Sequence, residues 1–266
     1  MKKPLVVFLT LMILAAVASF YFTQKNSINP EGKSKTGNSV FSNGIVSPTP
    51  ADSTMTKKEV DPSNIDPALF VSGINNKYFK LPVGRKLVYE GDTEDGVERI
   101  EITIPGQTKE VLGVKTLVYV DKVWVDGELV EDTRDYLAQD VNGNVWYFGE
   151  DVDNYEDGEL KDHSGSWLAG VNGAQPGIWI KAEHKVGDSY KQEYYRGEAE
   201  DMRDVLAVGQ TVKIGKGTYM DCVKVYDWTP LDPEAKEHKY YCSEVGALVL
   251  ETDLTSGDNI ELIDTN

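Results

Sequence analysis

The sequence is poor in the residues that most often carry chemistry. Only three histidines and two cysteines occur among its 266 residues. There is no Gly-x-Ser-x-Gly elbow. His163 adjoins Ser164, but in a turn-like run, DHSGSW, where neighbouring side chains of an extended chain point apart. A Ser/His hydrolase is therefore a poor fit. Two cysteines exclude a disulfide-dense scaffold. With His238 they still lack a fourth ligand and the close cysteine spacing of a zinc motif. Basic residues are scarce as well, 27 Lys and Arg against 44 Asp and Glu. The resulting charge of −17 is the wrong sign for a nucleic-acid partner. No long apolar run follows residue 22, which excludes a polytopic membrane protein.

The one long apolar run lies at the start. Met1-Lys2-Lys3 is basic, and residues 4–22, PLVVFLTLMILAAVASFYF, carry no charge. A cationic start followed by such a run is an export signature. Two fates stay open for it. Ala16-Val17-Ala18 fits the small-x-small cleavage rule of a signal peptide. A length of 19 residues, ending in Phe20-Tyr21-Phe22 and followed by Lys25, also suits a signal anchor. No cysteine follows the run, which speaks against a lipid-modified N-terminus. Residues 23–73 are rich in Ser, Thr, Asn, Pro and Gly and nearly free of aromatic rings. Too little apolar area is available there to offset chain entropy, so the stretch reads as a flexible polar linker. Residues 1–75 hold seven of the basic and five of the acidic side chains, leaving 20 against 39 in the remainder. The excess negative charge belongs to the part beyond the linker, where it favours solubility and attracts cations.

Residues 74–266 read as one extracytoplasmic all-β domain. Short alternating runs recur between turn residues. Leu87 to Glu90 precedes the turn pair Gly91-Asp92, and Val97 to Ile104 alternates in part, with Glu98, Arg99 and Glu101 toward solvent. Thr116 to Val120 and Val123 to Val125 lead into Asp126-Gly127, a strong hairpin signal because the turn needs positive φ. Asp140 to Asn144 and Asp157-Gly158 predict two further hairpins. Residues 189–195, 210–214, 219–228, 237–241 and 247–254 are additional strand candidates. The only helical signal is EAEDMRDVLAV, residues 198–208, with acids at its start. The pattern predicts a single antiparallel curved sheet, half-barrel or barrel-like, with at most one or two short helices.

Several stretches resemble secreted bacterial β-domains of unknown function. They are Tyr78-Phe79-Lys80-Leu81-Pro82-Val83-Gly84 with Leu87 to Glu90, Gly143 to Asp151, Gly170 to Gly177, Val186-Gly187-Asp188, Gln192 to Tyr195, Asp221 to Lys224, Trp228 to Leu231 and Lys239 to Tyr241. In these the domain is similar to the DUF3108-like proteins. The resemblance spans the domain but not the linker. It implies a curved antiparallel sheet, a half-barrel like those of lipoprotein carriers, and it implies no catalytic motif.

Three groups of side chains are candidates for function. Cys222 and Cys242 lie in or beside strands 20 residues apart, with Trp228-Thr229-Pro230-Leu231-Asp232-Pro233 able to turn the chain between them. Outside the cytoplasm such a pair oxidises, and a loop of about 20 residues closed in this way is worth roughly 3 kcal/mol in the chain-entropy account. Glu150 to Asp157 is the densest acidic cluster, and Asp151, Asp153 and Asp157 are the candidate oxygen ligands for Ca²⁺. Asp140-x-Asn142-x-Asn144 resembles the opening of an EF-hand loop, but Val145 stands where glycine is required, and the same residues suit a plain hairpin turn. Trp146, Trp167 and Trp179 are candidates for an aromatic ligand-binding platform, against the alternative of cross-strand packing. WLAGVNGAQPGIW, residues 167–179, is a glycine-rich loop bracketed by two of these rings; it borders a pocket or is pinned down by them.

The expectation is an exported, non-enzymatic ligand-binding or structural cell-surface domain. Two alternatives stand beside it: a calcium-dependent adhesive module, and a secreted glycoside hydrolase using paired carboxylates. No nucleic acid is expected as a partner, and the membrane is met only through residues 4–22. Whether the ligand is a small molecule, glycan, lipid or protein is left open.

Overall fold

The turn residues set the architecture. A computed structural model describes residues 59–266; the candidate signal segment and residues 23–58 of the linker lie outside that range. The described chain opens with a single 3-10 turn, Pro67–Leu69, capped by Asp66. Three short strands follow: β1 (Phe70–Val71), β2 (Asn75–Asn76) and β3 (Phe79–Lys80). Long strands then alternate with tight turns: β4 (Lys86–Thr93), β5 (Gly96–Thr103), β6 (Thr108–Val111), β7 (Val114–Val125), β8 (Glu128–Asp140) and β9 (Val145–Glu156). Short pieces cross the middle: β10 (Glu159–Asp162), β11 (Trp167–Leu168), β12 (Gln175–Ile180), β13 (Ser189–Lys191) and β14 (Glu193–Tyr194). The chain ends in five strands, β15 (Met202–Ile214), β16 (Gly217–Trp228), β17 (Lys236–Cys242), β18 (Ala247–Asp253) and β19 (Asn259–Thr265).

Every pairing is antiparallel. From β15 each strand pairs with the next through β19, which pairs with β4; the sheet continues through β5, β7, β8 and β9 to β12. Residues 189–194 span the remaining gap. Their first half, β13, pairs with β15, and their second half, β14, pairs with β12. The result is one large antiparallel sheet nearly closed into a barrel.

Asp126-Gly127 and Asp157-Gly158 adopt paired positive φ angles, 50° and 84°, then 53° and 78°, as two-residue hairpins require. Gly91-Asp92 is not a turn. An added side chain at Gly91 would stand 2.0 Å from the Asn259 carbonyl oxygen, so this glycine lets β19 approach, and β4 runs on to Thr93. Residues 198–208 do not form a helix; from Met202 they enter β15, where Arg203 and Val205 are buried against β16. Glu98 faces inward, not toward solvent, whereas Arg99 lies outside and pairs with Glu90 and Glu101.

The end of the stretch read as linker takes part in the fold. Leu69 is buried, β1 pairs with β8 through Phe70↔Asp140, and the Phe70 ring lies edge-on to Trp146 and Phe148. Phe79, Tyr119, Tyr147, Trp179 and Tyr241 form a contiguous ring cluster in the core. Phe79 meets Tyr119, Trp179 and Tyr241 at 5.7–6.2 Å between centroids, and Tyr147 meets Trp179 edge-on at 4.9 Å.

Candidate functional site

Strand alternation places acids as well as rings on the buried side of the sheet. In Tyr119-Val120-Asp121-Lys122-Val123 every second residue is buried, and so are Glu131, Thr133 and Asp135 on β8. Glu98 shares its face with Ile100 and Ile102, and Glu251 shares its face with Val249. Glu150, Glu193, Arg203, Asp227 and Lys239 are also buried. Burial of a charge is expensive unless it is paired, and the two sides of the sheet meet that demand differently.

On the β15–β18 side opposite charges face one another. Arg203 and Asp227 are register partners, and the guanidinium donates two hydrogen bonds to the carboxylate, the Nε one at 2.7 Å. Burial alone would raise the Asp227 pKa, but Arg203 and then Lys239 outweigh it and hold the carboxyl below its ordinary value. Lys239 lies 2.7 Å from Glu237 and 3.5 Å from Glu251, and Glu251 is its register partner across β17–β18.

On the β8–β9 side like charges face one another. Asp135 and Glu150 are direct register partners, both buried. Tyr147 donates a 2.6 Å hydrogen bond to Asp135. Glu150 Oε1, both carboxyl oxygens of Glu193 and the Trp167 indole nitrogen are buried without a well-aligned hydrogen bond, though Tyr147 neighbours Glu150, and the Trp167 indole and the Asp201 backbone neighbour Glu193. Burial, reinforced by neighbouring carboxyls, pushes Glu150 and Glu193 well above the carboxylate range. Burial likewise raises Asp135, Glu131 and Asp201 to about 7 and Glu98 to about 8. Between the two sides, Asp121 and Glu251 border a small cavity with Tyr89 and Tyr119; its volume, about 10 Å³, has room for about one water.

The residues singled out in the sequence sit elsewhere or play other parts. Trp146, Trp167 and Trp179 are only 4%, 5% and 1% exposed. They are parts of the core, not an open platform. Trp167 and Trp179 flank Tyr147 edge-on at 5.2 and 4.9 Å. Both ends of the glycine-rich loop thus pair with β9, Trp167 opposite Glu150 and Ile178 opposite Trp146. Trp146 donates to Asp140, whose carboxylate also accepts from the Asn142 and Asn144 amides. That makes residues 140–144 a hairpin turn. Asp151 contacts Lys109 and Tyr136, Asp153 contacts Arg134 and His163, and Asp157 sits at positive φ in the β9–β10 turn. Among the described residues no group of three or more His, Cys, Asp or Glu is placed to hold a metal ion. Cys222 and Cys242 stand opposite each other across β16 and β17 and form a disulfide.

Of these interior acids only Glu150 fell within a candidate site singled out in the sequence, the acidic cluster of residues 150–157. Their signal was parity: Asp121, Glu131, Asp135 and Glu251 each fall in step with apolar residues two positions away on the same strand or with buried Thr133. Chemically, these carboxyls can hold protons and exchange hydrogen bonds with tyrosines. They are sealed from solvent and do not line an open cleft.

No protein-family model matches the chain and no curated protein matches it, so the likeness to the DUF3108-like proteins has no family match behind it. Among solved structures the chain is similar to that of a "putative lipoprotein" from Parabacteroides distasonis, 12% identical over 71% of this chain and 98% of that one, with a TM-score of 0.38. That likeness is too slight to transfer a function.

Proposed function

We propose that this protein is an exported, non-enzymatic cell-surface domain that binds its partner on the outside of a filled β-barrel. The observation that carries the reading is the ring cluster. Tyr119, Tyr147, Trp179, Tyr241 and Phe79 occupy the core at 2% exposure or less. They leave little room there for a lipid or a sugar, and a lipid-carrier role loses its support. The disulfide fits the export signature, because such bridges persist in oxidising compartments. The acids whose pKa burial raises lie inside the barrel, whereas the surface acids Glu101, Asp153 and Asp221 are held low by cations and hydrogen bonds.

The test of export is an alkaline phosphatase fusion after Asn266 in a bacterial host, since that enzyme is active only beyond the cytoplasmic membrane. The full chain is expected to give activity that is lost when residues 1–22 are removed. Equal activity from both, or none from either, contradicts the reading. The filled core is checked with a fluorescent fatty-acid probe, for which no saturable binding is expected.

A further inference from the structure

We infer that Asp135, Glu150 and Glu193 form a proton store inside the barrel, so that the closed domain takes up protons on folding and loosens as its surroundings turn alkaline. The geometry is specific. Asp135 and Glu150 are direct register partners, both buried. Two carboxylates directly opposite on adjacent strands repel, and the repulsion is strongest where water is excluded. Glu193 reaches the same region from β14, fully buried, with only the Trp167 indole and the Asp201 backbone beside its carboxyl and, among the described residues, no cation paired with it.

The surroundings supply acids rather than bases. Tyr119, the register partner of Asp135, and Asp121 come from β7, Glu131 from β8, Tyr147 from β9, Trp167 from β11, and Asp201 from the turn before β15. Arg134 is the nearest cation by sequence, but it lies on the outer side, held by Asp153. Of the buried cations, Arg203 and Lys239 are engaged by Asp227, Glu237 and Glu251, and Arg85 donates to the Lys80, Val245 and Gly246 backbone carbonyls. A protonated carboxyl resolves the conflict: it carries no charge and its hydroxyl can donate to a neighbouring oxygen. This arrangement contrasts with the β15–β18 side, where the buried acids Asp227 and Glu251 stand opposite Arg203 and Lys239.

The sign follows from linkage. Folded carboxyls that titrate above their unfolded values bind more protons in the native state. Their contribution to stability is fully present below the unfolded carboxyl range and is lost as pH rises through the folded one. His184 works in the opposite sense, since burial lowers its pKa to about 4 and favours folding above its unfolded value. The window from about pH 7.5 to 9 separates the two effects, because His184 is then almost wholly neutral in both states.

The experiment is thermal unfolding of the purified full chain across that window, with Glu150→Gln and Glu193→Gln beside it. Gln keeps the size and a donor of the protonated acid. The melting temperature is expected to fall as pH rises, by roughly 3–5 °C per pH unit for each retained proton, and to fall less steeply in both variants. If a variant fails to fold, calorimetry of the unaltered chain at about pH 8, where both His184 and His238 are almost wholly neutral folded or unfolded, in buffers of different ionisation enthalpy decides, with proton release on unfolding expected. A flat or rising profile, or no proton release, overturns the inference. So does a rise with millimolar Ca²⁺ at pH 8 that Glu193→Gln abolishes, which would mean ionised carboxylates around a cation.

Discussion

At the scale of the residue, partners decide what an acid costs. Asp227 is tolerable inside the sheet because Arg203 meets it with two hydrogen bonds. Removing one member leaves the other charged and buried. Arg203→Met is therefore expected to lower stability by about 3–5 kcal/mol, read as a drop in the denaturation midpoint; an unchanged midpoint would show that water reaches the site. Asp151 and Asp153 are surface residues already facing Lys109 and Arg134. Millimolar Ca²⁺ is thus expected to leave the melting temperature of the protein at neutral pH unchanged, and a clear rise lost in Asp151→Asn would restore the calcium reading. Much of this scale was hidden in the sequence. Glu98 looked like a solvent-facing residue beside Arg99, because alternation alone does not say which face of a strand is the inner one. The rings were visible, but not that Trp146, Trp167 and Trp179 were all core.

At the scale of the element, the sequence was more legible where backbone chemistry is local. Asp126-Gly127, Asp157-Gly158 and Asp140 to Asn144 marked their hairpins because a positive φ or an Asp side chain accepting backbone amides is written in a few adjacent residues. The Leu112-Gly113 turn was missed, since leucine at φ 51° is not a turn signal. Gly91 misled for the converse reason: its role is set by Asn259, 168 positions away in the chain. Gly91→Val is expected to destabilise by about 1–3 kcal/mol through overpacking against β19, measurable by urea unfolding; a neutral result would mean that β19 detaches easily. The helix signal at 198–208 failed because tertiary pairing with β16 overrode local propensity.

At the scale of the whole molecule, the all-β barrel-like plan was readable from the regular recurrence of turns, whereas its near closure depends on long-range pairing between β19 and β4 and across residues 189–194. The folded body reaches back before residue 74. Removal of residues 1–58 is expected to leave the melting temperature nearly unchanged. Removal of residues 1–73 takes away β1 and Leu69, uncovers Trp146 and Phe148, and is expected to lower it by several degrees; equal temperatures for the two truncations would show that this segment does not support the sheet. The sealed sheet-built body is stapled between β16 and β17, and the proposed export requires that staple to be formed in the cell. The most direct test of that requirement is alkylation and mass measurement of the protein recovered from the cells that make it, first without and then with reduction. The account predicts no alkylated cysteine before reduction and both Cys222 and Cys242 alkylated after it. Two alkylated cysteines in the unreduced protein would contradict it.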